Sequence, residues 1–184
     1  MLKVVSGSAR GLRLFDVNKS TTRPITSRIK TSLFDMIQPF FIGEPVADLY
    51  SGTGSMGIEA LSRGATQCDF VDADPDCVEV INKNLEKTNL VKNTSVINSS
   101  VSEFLKNLSN EKYKIVFYDP PFPLVKKSYS HLQKEMQKLL PFIDVDGAIV
   151  FRHPKRLFED VDGFEVVNQR EFGVSEVTLL SPKV

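Results

Sequence analysis

Asp48-Leu49-Tyr50-Ser51-Gly52-Thr53-Gly54-Ser55-Met56-Gly57 follows the short apolar approach Val46-Ala47 and opens onto Ile58-Glu59-Ala60-Leu61. The stretch reads as strand, glycine turn, helix. Gly52 and Gly54 permit a tight turn that admits a ligand close to the main chain, and Gly57 lets the helix pack near a sheet. The helix start offers N–H groups and a positive dipole end to an anionic group. G-x-G-x-x-G alone also describes an ordinary turn between a strand and a helix. Two later features decide against that. Asp72 stands 20 positions after Gly52 and ends the apolar run Phe70-Val71, where an acid can take both hydroxyls of a ribose. Asp119-Pro120-Pro121-Phe122 ends a further strand-like run.

Outward from that turn, apolar runs alternate with helical patterns: 46–50, 55–63, 68–72, 76–89, 94–98, 101–108, 113–119 and 128–140. Such alternation predicts a parallel sheet covered by helices on both faces. Gly147 to Phe151 reads as a fifth strand, followed by a short helical turn from Pro154 to Phe158. Phe164 to Val167 and Glu176 to Leu180 are too close for a crossover helix and predict an antiparallel hairpin around Gly173. Upstream, Lys3-Val4-Val5 and Leu12-Arg13-Leu14-Phe15 read as a small hairpin or a pair of edge strands. Thr26 or Ser27 caps a helix running through Met36, with Ile29, Leu33, Phe34 and Ile37 as its apolar stripe. Arg23, Thr26 and Lys30 fall off that stripe in this reading. The expectation is an α/β, Rossmann-like, doubly wound and mostly parallel sheet with a C-terminal antiparallel hairpin. It forms one domain over 1–184, with a basic N-terminal hairpin and helix extension over 1–38 and a catalytic core over 39–184.

The 184 residues are 41% apolar and carry 23 basic against 23 acidic side chains. That suffices for one domain with a real core. No apolar run approaches the roughly 20 residues needed to cross a bilayer, so a cytoplasmic protein without membrane partners is expected. Cys68 and Cys77 have no His or Cys nearby at metal-ligand spacing, so reduced thiols and no metal are expected. The zero net charge hides an asymmetry. Residues 1–30 hold seven basic residues against Asp16 alone, a net +6 that leaves −6 on the remainder. A basic arm on an acidic body suits a polyanion, although a solvated surface has the same composition.

In open α/β sheets ligands sit outside the carboxyl ends of the strands, at the switch in strand order. Asp48, the glycine turn, Asp72, Asn98-Ser99-Ser100 and Asp119-Pro120-Pro121-Phe122 all fall at such ends. A nucleoside-type ligand would use the turn for its charged tail, Asp72 for ribose, and Ser100 or the Val101 N–H for an adenine edge. The two prolines after Asp119 fix φ and remove two donors, so that loop presents carbonyl and carboxylate acceptors. Two acceptors match the two N–H groups of an exocyclic base amine, and Phe122 can stack on the flat base. Hydrogen bonds that draw such an amine toward tetrahedral geometry localise its lone pair, and placement in line with a sulfonium methyl supplies proximity.

The Asp48, Ser51 to Gly54, Asp72 and Asp119 to Phe122 motifs resemble those of S-adenosylmethionine-dependent amino-methyltransferases acting on nucleic acid bases. Further segments widen the resemblance: Lys3-Val4-Val5 with Arg10-Gly11, Arg23 to Arg28 followed by Leu33-Phe34, and Gly57 to Ala65. With these included, nearly the whole chain is similar to the bacterial 16S rRNA guanine-N2 methyltransferase family RsmD. The resemblance implies S-adenosyl-L-methionine as cofactor, with Asp48, Tyr50, Ser51, Gly52, Thr53 and Gly54 at its methionine end and Arg23 and Thr26 closing over it. Asp72 and Ala73 would hold ribose, and Ser100 and Val101 adenine. Asp119, Pro120, Pro121 and Phe122 would present the target amine, while Arg10, Arg13, Arg28 and Lys30 track rRNA. The implied partner is 16S rRNA or a small-subunit assembly intermediate, met by a monomer. Leu12, Ile25 and Thr31 depart from the family pattern.

Other classes share some of these residues. An NAD-dependent oxidoreductase shares the glycine turn and Asp72 but has no use for the Asp119 loop. A DNA adenine-N6 methyltransferase uses the same amine chemistry but needs a sizeable target-reading domain. A cytosine-C5 enzyme needs a Pro-Cys nucleophile loop, which neither cysteine provides. A non-catalytic ribosome-assembly factor would retain the cofactor site without transferring methyl groups.

Overall fold

The computed structural model describes residues 2–17, 26–40, 43–109 and 112–183. Arg23, Pro24 and Ile25 therefore lie outside the described residues, and with them the Arg23 contact expected at the cofactor. Seven strands form one sheet: β1 Val46–Leu49, β2 Cys68–Asp72, β3 Thr94–Asn98, β4 Tyr113–Tyr118, β5 Ile143–Pro154, β6 Phe164–Phe172 and β7 Ser175–Pro182. Their order is β3-β2-β1-β4-β5-β7-β6. β1 to β5 are mutually parallel, while β7 runs antiparallel to both β5 and β6. The order reverses between β1 and β4, which places the switch crevice at the ends of those two strands.

Alternation along the strands builds two cores. Val46, Phe70, Ile115, Phe117 and Val150 face one side, where they meet α1 (Ser27–Ile37), α2 (Ser55–Ser62) and α3 (Pro75–Thr88). Ala47, Leu49, Val116, Tyr118 and Phe151 face the other, against α4 (Val101–Asn107), α5 (Phe122–Lys127) and α6 (Tyr129–Leu139). Residues one apart on a strand point to opposite faces, so buried runs such as Tyr113–Tyr118 serve both cores at once. At Gly57 a Cβ would lie 2.3 Å from Phe70 Cε1 and 2.6 Å from Cys68 Sγ. Only glycine lets α2 come this near to β2.

The N-terminal segment is fastened to α2. Val5 and Ser6 donate their N–H groups to the two carboxylate oxygens of Glu59 at 2.7 and 2.9 Å, and Ser8 N–H donates to Ser62 O at 2.8 Å. Phe15 N–H donates to Asn84 Oδ1 at 2.7 Å, and Asn84 Nδ2 donates back to Phe15 O at 3.1 Å. The expected hairpin reduces to a single antiparallel bridge, Lys3 with Arg13. Around that bridge Leu14 N–H donates to Leu2 O at 3.0 Å, Val4 N–H to Leu12 O at 2.9 Å and Gly11 N–H to Val4 O at 2.9 Å, so the segment pairs with itself as well as with α2 and α3.

Three sequence expectations are corrected. Lys30 is not a free surface cation: it is 0% exposed and donates from Nζ to Lys3 O at 3.0 Å and Ser55 O at 3.3 Å, with Glu59 Oε2 3.4 Å away. Positions 30, 33, 34 and 37 form the buried stripe, and Ile29 only borders it. No helix spans Pro154 to Phe158; β5 extends to Pro154, paired with Ser175, and a turn at Lys155 and Arg156 follows. The Asp119 loop is followed by α5, where a loop was expected. Pro121 is the N-cap of this helix and Pro123 sits in its first turn, where proline is tolerated.

Candidate active site

The carboxyl ends of β1, β2 and β4 surround a cavity of about 680 Å³, within the usual size of a small-molecule site. Tyr50, Ser51, Gly52, Thr53, Asp72, Ala73, Ser100, Val101 and the Asp119 to Phe122 loop all line it, as does Asp48. Gly54 does not. It takes the left-handed conformation (φ 72°) ahead of α2 and donates its N–H to Ser51 O at 2.8 Å, so it shapes the turn without facing the cavity. Thr26 also lies off the lining. Its Oγ1 accepts from Ile29 N–H at 3.4 Å as the N-cap of α1.

The cofactor-type residues are already engaged with one another. Gly52 N–H donates to Asp72 Oδ2 at 2.8 Å and Asp74 N–H to Asp72 Oδ1 at 2.9 Å, which holds that carboxylate rigid while each oxygen keeps a further lone pair. Ser51 Oγ accepts from Val71 N–H at 2.8 Å and donates to the Asp48 carbonyl, tying the turn to β2. Ser100 caps α4, accepting from Glu103 N–H at 3.2 Å. Asp48 is 2% exposed and accepts from Gly57 N–H through Oδ2 at 2.8 Å. Burial, together with the nearby charges of Asp119 and Asp72, pushes its carboxyl up to about 8 against the opposing effects of that hydrogen bond and of Lys30. Ser55 Oγ, also on the lining, is buried without a hydrogen-bond partner among the described residues. The unpaired hydroxyl and the Asp48 carboxyl line the same cavity and are groups able to meet a polar, amino-acid-like end of a ligand. Asp72 at the other side suits vicinal hydroxyls.

The acceptor loop meets a donor that sequence reading did not place. Tyr118 and Phe151 are partners in the parallel register of β4 and β5, so the next residues, Asp119 and Arg152, stand side by side. Arg152 Nε donates to Asp119 Oδ1 at 2.8 Å, and its guanidinium lies 5.4 Å from the centre of the Phe122 ring. The loop thus carries a competing donor, contrary to the expectation from its two prolines. That donor arrives from a strand over 30 residues downstream.

A second missed residue is Glu135. It is 3% exposed and lines the cavity. It accepts from Tyr50 Oη at 2.8 Å and Tyr118 Oη at 2.7 Å through Oε2, and from Ser102 Oγ through Oε1, with His131 Nε2 3.3 Å from that same oxygen. Burial and the Glu135 charge raise the Tyr50 hydroxyl above its ordinary value, so it stays a donor. One carboxylate therefore joins the glycine turn (Tyr50, φ 58°), the start of α4 and the residue before Asp119. Arg10, Arg13 and Arg28 lie exposed and off the cavity. Among the described residues there is no cluster of His, Cys, Asp or Glu able to hold a metal, and no helix long and apolar enough to cross a membrane.

Sheet order and crevice together define the fold of the class I methyltransferases. An Escherichia coli structure provisionally described as the methyltransferase yhhF superposes with a TM-score of 0.83 at 24% identity, covering 98% of this chain and 97% of that one. A family model described as "Conserved hypothetical protein 95" matches residues 2–181. YlbH of Bacillus subtilis (strain 168), which carries a provisional rRNA-methyltransferase name, is 34% identical over 97% of both chains. Ribosomal RNA small subunit methyltransferase D of Haemophilus influenzae is 34% identical over 66% of this chain and 64% of its own length. The chain belongs to this RsmD family of methyltransferases.

Proposed function

We propose that this chain transfers the methyl group of S-adenosylmethionine to the exocyclic N2 amine of a guanine in 16S rRNA. The observation that carries the reading is the placement of the Asp119-Pro120 acceptors on the same cavity as Asp48, the glycine turn and Asp72. The rRNA-methyltransferase names of relatives matching the chain at 34% identity support rRNA as the substrate class.

Bound in the cavity, the cofactor supplies an electrophilic methyl on sulfonium sulfur. The protein's residues do the rest. Asp48 and the Ser51 to Thr53 backbone hold the methionine end, Asp72 and Ala73 the ribose, and Ser100 and Val101 the adenine. Asp119 and the Pro120 carbonyl accept the two N–H bonds of the base amine and direct its lone pair toward the methyl carbon. Asp119 would take, or relay to water, the proton that the amine loses on methylation. Phe122 stacks on the base. An incoming amine replaces Arg152 at Asp119 Oδ1, which leaves the guanidinium free to donate to a neighbouring base acceptor. The target must leave its stack to reach Asp119, which is least costly for a base in a loop. Arg10, Arg13 and Arg28 contact phosphates, and extension and core act as a single unit in the cytoplasm.

The test is transfer of labelled methyl to small-subunit rRNA, free and protein-bound, from cells lacking this gene, with nucleoside analysis of the product. N2-methylguanosine at one site is the expected product. N6-methyladenine in DNA would instead assign the chain to the adenine enzymes. Cofactor binding with no transfer would leave it a binding protein.

A further inference from the structure

Beside the cavity runs a second depression of about 530 Å³, lined by Lys126, Lys155 and Arg156 with Leu157 and Val174. Val174 lines both spaces and is 60% exposed, so the depression begins where the active-site cavity ends. Its three cations come from two places in the chain. Lys126 lies on the last turn of α5, four residues after Phe122, hence about 6 Å along the helix from the ring expected under the base. Lys155 and Arg156 form the turn after β5, three and four residues beyond Arg152. Arg156 takes a left-handed backbone conformation (φ 62°), unusual for a residue other than glycine, and its side chain is exposed.

The acidic groups facing this depression are few. Glu171 pairs with Lys155 at 2.6 Å, but the two side chains are 60% and 34% exposed, and such a pair is held weakly enough to exchange for a phosphate. Glu176 Oε2 accepts at 3.4 Å from the Arg156 backbone N–H, not from its guanidinium.

We propose that this depression carries the phosphate backbone of the RNA strand flanking the target base, making a second RNA contact separate from the N-terminal arginines. The inference rests on the RNA reading above. Three cations against two carboxylates, one of them exchangeable, leave a positive balance that matches a polyanion, and the apolar Leu157 and Val174 suit a sugar or base face between phosphates. Contiguity with the cavity at Val174 gives a strand the path it needs when one of its bases enters the Asp119 loop. A base held there from one side alone could swing. Contacts on both sides of the flipped nucleotide hold it.

The experiment compares wild type with a Lys126→Gln/Lys155→Gln/Arg156→Asn variant, asparagine being chosen because it tolerates the left-handed backbone. Affinity for a small-subunit rRNA fragment is measured across a salt series, with cofactor affinity and methyl transfer in parallel. Loss of three phosphate contacts to a single strand should reduce the slope of log K against log salt by about 2. RNA affinity should fall roughly tenfold, about 1.4 kcal/mol, with cofactor affinity unchanged. If wild type methylates the RNA and the variant keeps its affinity and slope, the depression is not an RNA contact. If affinity for naked RNA is unchanged but activity on protein-bound rRNA falls, the occupant is a protein and the proposal is overturned. A wild type that transfers no methyl to any RNA removes the functional reading and this inference together.

Discussion

Glu59 and Glu135 are both buried helical carboxylates, 0% and 3% exposed, on opposite faces of one sheet. Glu59 on α2 gathers cations: Lys30 at 3.4 Å, Arg63 at 2.9 Å, and the N–H groups of Val5 and Ser6. Glu135 on α6 gathers hydroxyls from Tyr50, Tyr118 and Ser102, with His131 at its edge. The first is closed off from the cavity and fastens the N-terminal segment. The second lines the cavity and fastens the loops around it. A carboxylate balanced by buried cations serves folding, whereas one held by neutral donors next to a ligand space can set the geometry of binding.

The largest effect should come from Glu59→Gln, which strands Lys30 in the interior. Burial already lowers the Lys30 ammonium below its ordinary value against the opposing pull of Glu59. Removing one partner of a buried pair costs on the order of 3 kcal/mol, so thermal and urea denaturation should both show a large loss. A stability change below about 0.5 kcal/mol would show that the Glu59 cluster does not hold the extension. Next, Gly57→Ala should cost about 1–3 kcal/mol, because its Cβ meets the Phe70 ring at 2.3 Å; the same denaturation series checks it.

Glu135→Gln should behave differently. With the tyrosine and serine donors still partly paired, stability should fall by about 1 kcal/mol, while cofactor affinity measured by calorimetry should fall roughly tenfold. Equal losses from Glu59→Gln and Glu135→Gln in both measurements would erase the distinction between the two clusters. The smallest effect concerns pH. Between 3.8 and about 8 native Asp48 holds a proton that the unfolded chain has lost. Its contribution to stability is therefore fully present below 3.8 and fades as pH rises through about 8. A cationic ligand end prefers the carboxylate, so cofactor affinity should climb from pH 6 toward 8 and be flat in that range in Asp48→Asn.

The strands, the glycine turn and the converging acids were legible because each depends on local order: alternation, glycine spacing, an acid at a strand end. Lys30 and Glu135 also sit in local order, on the buried phase of their helices. Lys30 shares an i, i+3, i+4, i+7 stripe with Leu33, Phe34 and Ile37, and Glu135 shares one of the same spacing with Leu132, Met136 and Leu139. A charged residue on a buried stripe is itself a signal. Arg152 is another matter. Its approach to Asp119 follows from the register of β4 on β5, and no periodicity within either segment contains that offset. The start of α5 at Phe122 was hidden because two prolines read more readily as a loop than as a helix entry.

The central claim is that Asp119 acts on the target amine and not on the cofactor. Methyl transfer to small-subunit rRNA under single-turnover conditions, with cofactor affinity measured on the same preparation, tests it in wild type and Asp119→Ala. The expected result is loss of transfer by a factor of 100 or more, about 2.7 kcal/mol in the barrier, with cofactor affinity within about twofold of wild type. Equal loss of transfer and cofactor binding would contradict the assignment and move Asp119 into the cofactor site.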